Sequence, residues 1–346
     1  MGKFEKEDFL RDSAGFAFQT PVRAKKSRPP SKPNPMQMTA ALGRIGRIAH
    51  HRPEVMVKVT GSAHGFRALK EHLAYITRNG KLVSEREDGT LIEGAANVRS
   101  LAEEWWDKGG VDRPARARDT INLILSMPVG TDPQAVAEAA RAFAQKTFGE
   151  QYDYLLAHHN KESDPKRPEN PHAHLTIRTR GREGQRLDPR KHDLQAWREA
   201  FALELRQRGV VAEATPRRVR GVVRKGQRQA IRHLDERKAT RVTKWKLTQA
   251  VKTASAGKDG AAEPWAKAAK EKQRKIRRAW NTLAVAFEQA GQPKLAQQIR
   301  QFMNAMPEAQ TEREHFVAQA RKLLEKQQAY KRQVDKHEVR DRGRSR

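Results

Sequence analysis

The first regular alternation of apolar and polar positions is VMVKVT, Val55 to Thr60. This is the pattern of a half-buried strand, and Gly61 is expected to end it. Phe66, Leu69, Leu73 and Ile76 follow at helical spacing, and Gly80 supplies a stop. LVSEREDGTLIEG reads as a hairpin or loop around Asp88-Gly89, and Asn97 to Asp107 as a helix. Thr120 to Met127 is a continuous apolar strand ended by Pro128 and Gly130. An Ala-rich helix then begins with Asp132 as N-cap and Pro133 in its first turn, and Gly149 closes it. Tyr152 to His159 and His172 to Arg180 are two further strands. DLQAWREAFALELRQRG is an amphipathic helix with Gly209 at its end. Periodicity alone leaves the sheet parallel or mixed.

From about Thr215 the pattern changes to long polar helices rich in Lys, Arg, Gln and Ala. Trp245, Trp265, Trp280, Leu283 and Phe287 are candidates for helix–helix seams, and Ala256 to Gly260 is a break. The last residues, VRDRGRSR, show no pattern of a packed element and read as a free basic tail. Pro21 to Pro35 is Pro-rich and basic and reads as an extended linker. Three parts are therefore expected: a basic, poorly ordered segment 1–50, a mixed region 51–221, and a basic helical region 222–346.

Charge narrows the partners. The 346 residues carry 70 Lys and Arg against 41 Asp and Glu, a net +29. Such an excess points to a polyanion, nucleic acid first and an anionic membrane surface second. The surplus is uneven: residues 217–346 hold 34 basic and 13 acidic side chains, an excess of 21, and the first 216 an excess of only 8. There is no cysteine, which excludes disulfides, thiolate metal sites and cysteine nucleophiles. No apolar run approaches the ~18 residues of a membrane span, and the N-terminus lacks an apolar signal region. A soluble cytoplasmic protein is expected.

NPHAHLTIR carries the sharpest chemistry. On a strand His172, His174 and Thr176 share one face, while Ala173, Leu175 and Ile177 face a core. Two imidazoles at i and i+2 can converge on one divalent metal, and a third waits at the end of the preceding strand in LLAHHN, as His158 or His159. A solvated polar face is the bland alternative. Tyr75 lies beside the apolar stripe of its helix, among Arg67, Lys70, Arg78 and Lys81, which could hold phosphates. Tyr152 and Tyr154 have apolar strand neighbours and read as structural.

Five segments in order resemble the conjugative relaxases, the family of plasmid mobilisation nucleases and T-DNA border endonucleases: VTGSAHGFRALKEHLAYITRNGKL, INLILSMPVGTDPQAVAEAARAFAQKTFG, YDYLLAHH, NPHAHLTIRTRGREGQRLD and WREAFALELRQRGVVAEATPRRVRG. The resemblance covers roughly residues 55 to 221. It implies an α+β histidine–hydrophobe–histidine nuclease fold: an antiparallel sheet with flanking helices, followed here by the basic helical region. It implies Tyr75 as nucleophile, and His172 and His174 with His159 as metal ligands. His159 aligns with the histidine closing the family's strand, and His158 is the alternative. Ser126 matches a position associated with DNA placement. The loop Asn160 to Pro171 is longer than is usual in the family.

The resemblance further implies one divalent ion, Mg or Mn first and Zn or Ni as alternatives. The implied substrate is single-stranded DNA at a transfer origin, and the implied product a 5′-phosphotyrosine link. Relaxosome accessory proteins and a type IV secretion coupling protein are the implied partners, with export to the recipient cell alongside the DNA. Arg178, Arg180, Arg182 and Arg186, with Arg217, Arg218 and Arg220, are candidates for phosphate contacts. Arg340, Arg342, Arg344 and Arg346 resemble the Arg-rich ends that relaxases present to secretion machinery. A rolling-circle initiator or transposase of the same superfamily usually places its tyrosine after the histidine pair, whereas Tyr75 precedes it. A non-catalytic DNA-binding scaffold is the third expectation, favoured if Tyr75 lies away from the histidines.

Overall fold

The computed structural model describes residues 43, 45–50, 52–108, 117–160, 170–217, 219–222, 231, 234–235, 241–256 and 264–344, with side chains described as far as residue 330. The Pro-rich linker, Arg218, most of the loop after His159 and Arg346 lie outside these residues. Residues 45–49 form a helical turn in which Ile45, Ile48 and Ala49 are buried. Their i, i+3, i+4 spacing gives order inside a stretch expected to lack it.

The described residues divide into two compact units, one ending at Pro216 and one beginning at Arg217. The first unit runs β1 (Met56–Ala63), α1 (Phe66–Ile76), β2 (Ser84–Arg86), β3 (Leu91–Ile92), α2 (Ala95–Asp107), β4 (Thr120–Ser126), α3 (Pro133–Ala144) with a π-helical turn at Gln145–Gly149, β5 (Tyr154–His159), β6 (His172–Arg178) and α4 (Lys191–Gln207). Its six strands form one sheet in the order β1-β4-β6-β5-β2-β3. Every pairing is antiparallel, so the parallel option is corrected. Gly61 does not end β1: the strand continues to Ala63 through a bulge between Val59 and Gly61.

Both faces of the sheet are covered. On one, Val57, Leu123, Leu125, Leu175 and Ile177 pack against Val136, Ala140 and Phe143 of α3 and Trp197, Phe201 and Leu205 of α4. On the other, Leu155 and Ala157 meet Leu69, Leu73 and Ile76 of α1 and Val98, Leu101 and Trp105 of α2. Asp132 caps α3 by accepting from the backbone of Gln134 and Ala135, with Pro133 at its start. The result is a sheet between two helical layers.

The second unit contains α5 (Arg241–Ser255), α6 (Ala266–Gln289), α7 (Pro293–Ala305) and α8 (Glu312–Arg344). Trp280, Leu283 and Phe287 are buried in α6, and the Trp280 indole donates to the Val219 carbonyl at 2.9 Å. Gln273 donates to the Gly221 carbonyl at 2.9 Å, so the chain after Pro216 is anchored in the helical unit. Trp245 and Trp265 are corrected: both are exposed rather than in seams. Both lie in polar sequence, and at i+3 and i+4 they find Thr248 and Gln249, or Ala268 and Ala269, instead of large apolar partners. The tail is corrected as well, because the helix α8 runs on to Arg344. Its long succession of Glu, Lys, Arg, Gln and Ala favours helix without needing a packed face. Among the described residues no helix is long and apolar enough to cross a membrane.

Candidate active site and metal centre

Strand register assembles the histidines. In the ladder between β5 and β6, His159 stands opposite His172 and Ala157 opposite His174. Opposed residues in an antiparallel pair share a face, so His159, His172 and His174 come together on the α1 side. One nitrogen from each lies within 4.8 Å of the others. The ring centroids are 5.2 Å apart for His159–His172, 4.7 Å for His159–His174 and 5.2 Å for His172–His174. His158 faces the other way, opposite Ala173, and its buried Nε2 has no hydrogen-bond partner among the described residues. The cluster therefore takes His159.

Two of the three imidazoles have tautomers fixed by backbone carbonyls. His159 is fully buried, and its Nε2 donates to the Ile76 carbonyl at 2.6 Å, which leaves the lone pair on Nδ1. His172 Nδ1 donates to the Asn170 carbonyl at 2.9 Å, which leaves the lone pair on Nε2. Asn170 itself donates to the Met127 carbonyl at 3.1 Å, and Met127 N donates to the Pro171 carbonyl at 3.2 Å. These bonds pin the entry to β6 against the end of β4. Burial, aided by the neighbouring His159, His172, His72 and Arg78, pushes His174 down to about 2. Three imidazoles, two of them oriented by backbone carbonyls, form a donor set that fits a divalent ion of the Mn, Ni or Zn type.

α1 carries Tyr75 to the edge of this cluster. The helix starts where Gly65 N donates to Asp119 Oδ2 at 2.6 Å. It ends where the buried Thr77 donates to the Leu73 carbonyl at 2.9 Å and accepts from Gly80 N at 3.1 Å. Gly80 has φ +80°, and a Cβ there would lie 2.2 Å from the carbonyl carbon of Gly94 at the start of α2. Only glycine fits that turn. Tyr75 remains 41% exposed, with its ring 6.1 Å from that of His174 in an edge-on arrangement. The Arg78 guanidinium lies 5.6 Å from the Tyr75 ring centre.

His72 was not a sequence candidate, although it precedes Tyr75 by three residues and so shares its side of the helix. Its ring is 6.3 Å from that of Tyr75, and its Nε2 lies 3.1 Å from Thr176 Oγ1. Burial pushes it down to about 4. Thr176, expected on the histidine face, is there and fully buried.

The basic candidates separate. Arg78 is beside Tyr75, and Ser126 stands opposite His172 in the β4–β6 ladder, buried, with its hydroxyl donating to the Met127 carbonyl at 3.3 Å. Arg67 pairs with Glu71 at 2.8 Å on the exposed side of α1, Lys70 lies 5.6 Å from the Phe66 ring centre, and Lys81 is exposed. Arg178 closes the opposite end of β6, about 13 Å of strand beyond His174. There it donates to the buried Asp153 at 2.8 Å, and Arg182 reaches the same carboxylate at 3.2 Å. Arg180 is exposed past that end and bridges to Arg186.

Residues 75–210 match the family described as "Relaxase: MobA/VirD2-like, nuclease domain", a match that spans Tyr75 and all three clustered histidines. This segment is similar to a relaxase-type nuclease domain. Among individual proteins, the chain is 27% identical over 191 residues to the T-DNA border endonuclease VirD2 of Rhizobium radiobacter, covering 49% of this chain and 44% of that protein. It is 26% identical over 125 residues to the 43 kDa relaxation protein of Salmonella typhimurium, covering 35% of this chain and 34% of that one. The chain thus spans less than half the length of either relative. A solved structure titled "Molecular Basis of Vancomycin Resistance Transfer in Staphylococcus aureus" overlaps 47% of this chain and 98% of its own, at 16% identity and a TM-score of 0.30.

Proposed function

We propose that the chain nicks and rejoins one strand of DNA by transesterification, with Tyr75 as nucleophile and a divalent ion on His159, His172 and His174. The observation that carries this reading is the exposed Tyr75 ring standing 6.1 Å from the His174 ring, at the rim of a three-histidine cluster. It also disfavours a purely scaffolding role, for which the tyrosine would lie away from the histidines.

Tyr75 Oη attacks the scissile phosphorus from the solvent-exposed rim. The Oη–P bond forms, the P–O3′ bond breaks, the phenolic proton is released and the departing O3′ takes up a proton. The product is a 5′-phosphotyrosine link with a free 3′-hydroxyl, and attack by a 3′-hydroxyl reverses the step without ATP. His159, His172 and His174 would hold a divalent ion, which when bound would supply Lewis acidity to the phosphate and offset its developing charge. Mg and Mn are the first ions to try; three imidazole donors favour Mn of the two, with Zn or Ni as alternatives. Arg78 brings a fixed positive charge to the place a phosphate must occupy. His72, through Thr176, ties the tyrosine's helix to the strand that carries His174.

By likeness to the relaxase family, the substrate is single-stranded DNA at a plasmid transfer origin. The partners are relaxosome proteins and a type IV secretion coupling protein, and the linked strand is exported to a recipient cell. The test is a covalent adduct between the full chain and a labelled origin oligonucleotide, run with Mn or Mg. Tyr75→Phe should abolish the adduct, and His172→Ala should weaken both cleavage and metal binding. An adduct at full yield with Tyr75→Phe rejects the assignment.

A further inference from the structure

The helix α5 presents to solvent a face that the fold does not use. Ala250, with Val251 and Ala254 beside it, packs on Val317, Ala320 and Phe316 of α8. On the opposite side Arg241, Trp245, Thr248 and Lys252 are all exposed. Their spacing of four, three and four residues makes a single stripe, and the two end cations are about 16 Å apart along the axis. Trp245 is 63% exposed in the middle of that stripe. Arg241 to Ser255 contains four basic residues and no acidic one. Lys246 pairs with Glu312, whereas Arg241, Lys244 and Lys252 make no ion pair among the described residues.

A solvated helix face ordinarily mixes both signs of charge and keeps large aromatic rings covered. An exposed indole between unpaired cations has a different chemistry. The ring face stacks on a base, and the cations meet phosphates on either side. Only a strand whose bases are unpaired can offer a base face, because in a duplex those faces are buried in the stack. We infer that the Arg241–Trp245–Thr248–Lys252 face of α5 binds single-stranded nucleic acid without strong sequence preference. It is a holding site separate from the Tyr75 chemistry. Failure of this inference leaves nicking untouched, and failure of the nicking assignment leaves this surface untouched.

The experiment is fluorescence anisotropy of the full chain with a labelled oligo(dT) of about 20 nucleotides. A duplex of equal length and Trp265→Ala serve as controls. Trp265 is 62% exposed but has only alanines at the neighbouring helical positions. Trp245→Ala should weaken oligo(dT) binding by roughly 5- to 150-fold, the range expected for one lost stacking contact. Trp245→Phe should recover most of that loss, and duplex binding should change by less than twofold. Arg241→Gln with Lys252→Gln should reduce the slope of log K against log salt by about 1.4, or roughly 0.7 for each lost contact to a single strand. Wild-type affinity in Trp245→Ala overturns the inference and leaves an acidic protein as occupant of the face. An equal loss on duplex, or an equal loss in Trp265→Ala, overturns it too, because stacking at this position is then not what binds.

Discussion

Replacing His159 by alanine should remove metal-dependent stabilisation of the first unit, whereas replacing its neighbour His158 should not. The two side chains are adjacent in sequence and lie on opposite faces of β5. His159→Ala opens a buried space and leaves the Ile76 carbonyl without its donor, whereas His158→Ala removes a half-buried ring. Both variants should therefore unfold more readily without metal, His159→Ala by about 2–5 kcal/mol and His158→Ala by less. The diagnostic quantity is the difference that metal makes within each variant, in which that loss cancels. An ion present at one hundred times its dissociation constant stabilises the folded form by about 2.7 kcal/mol. For a unit of this size that shift corresponds to roughly 5–11 °C in Tm. The assay is thermal unfolding of the full chain, read on the transition of the sheet-containing unit, with Mn and with chelator. Wild type and His158→Ala should show the shift at equal Mn, and His159→Ala should lose most of it. A full shift in His159→Ala, or its loss in His158→Ala, would refute the ligand set.

His72→Phe keeps an aromatic ring on α1 but removes the bond to Thr176. It should slow adduct formation by about 10- to 100-fold while leaving the Mn-dependent Tm shift in place. Single-turnover cleavage and the melting assay read the two effects separately. Gly80→Ala forces a Cβ into the backbone of Gly94 at positive φ and should cost about 2 kcal/mol or more, measured by urea unfolding. Asp153 gives the unit an acid limit. Burial alone would raise its carboxyl, but Arg178, Lys108 and Arg182 outweigh burial and hold it below the usual range. The stabilisation is fully present above the unfolded value near 4 and is lost as pH falls through the lower folded value. Urea unfolding of wild type should weaken steeply below about pH 4, and Asp153→Asn should flatten that limb.

Local pattern in this chain carries local geometry and little about partners. The strand alternation of His172, His174 and Thr176 is legible because it depends only on period two. The choice between His158 and His159 is not, since one residue of register exchanges the faces of β5. Sheet order is hidden for the same reason: no periodicity in β4 says that β1 and β6 lie on either side of it. Arg178 looks like a phosphate contact until the fold brings Asp153 to it from the start of the neighbouring strand. The tryptophans held an unused signal. Trp280 is followed by Leu283 and Phe287 at helical spacing and is buried, while Trp245 is followed by Thr248 and Gln249 and is exposed.

The position of Tyr75 follows from the burial of its neighbours. Leu69, Leu73 and Ile76 define the stripe that α1 presses onto the core. At about 100° per residue, His72 lies about 65° round from that stripe and Tyr75 about 125° on the same side. A helix seated by its apolar stripe therefore carries His72 into the half-buried layer, where it reaches Thr176, and leaves Tyr75 at the solvent rim beside His174. Sliding the stripe by one residue would turn the helix through about 100° and take the phenol either into the core or away from the histidines. The hydrogen bonds at Thr77, the Gly80 turn and the His159–Ile76 bond all act at the end of α1 that holds Tyr75. The Ile76 carbonyl beside the tyrosine accepts directly from a histidine of the cluster. Tyr75 and the histidine cluster are thus coupled through one backbone group, and a substitution that loosens either should be felt at the other.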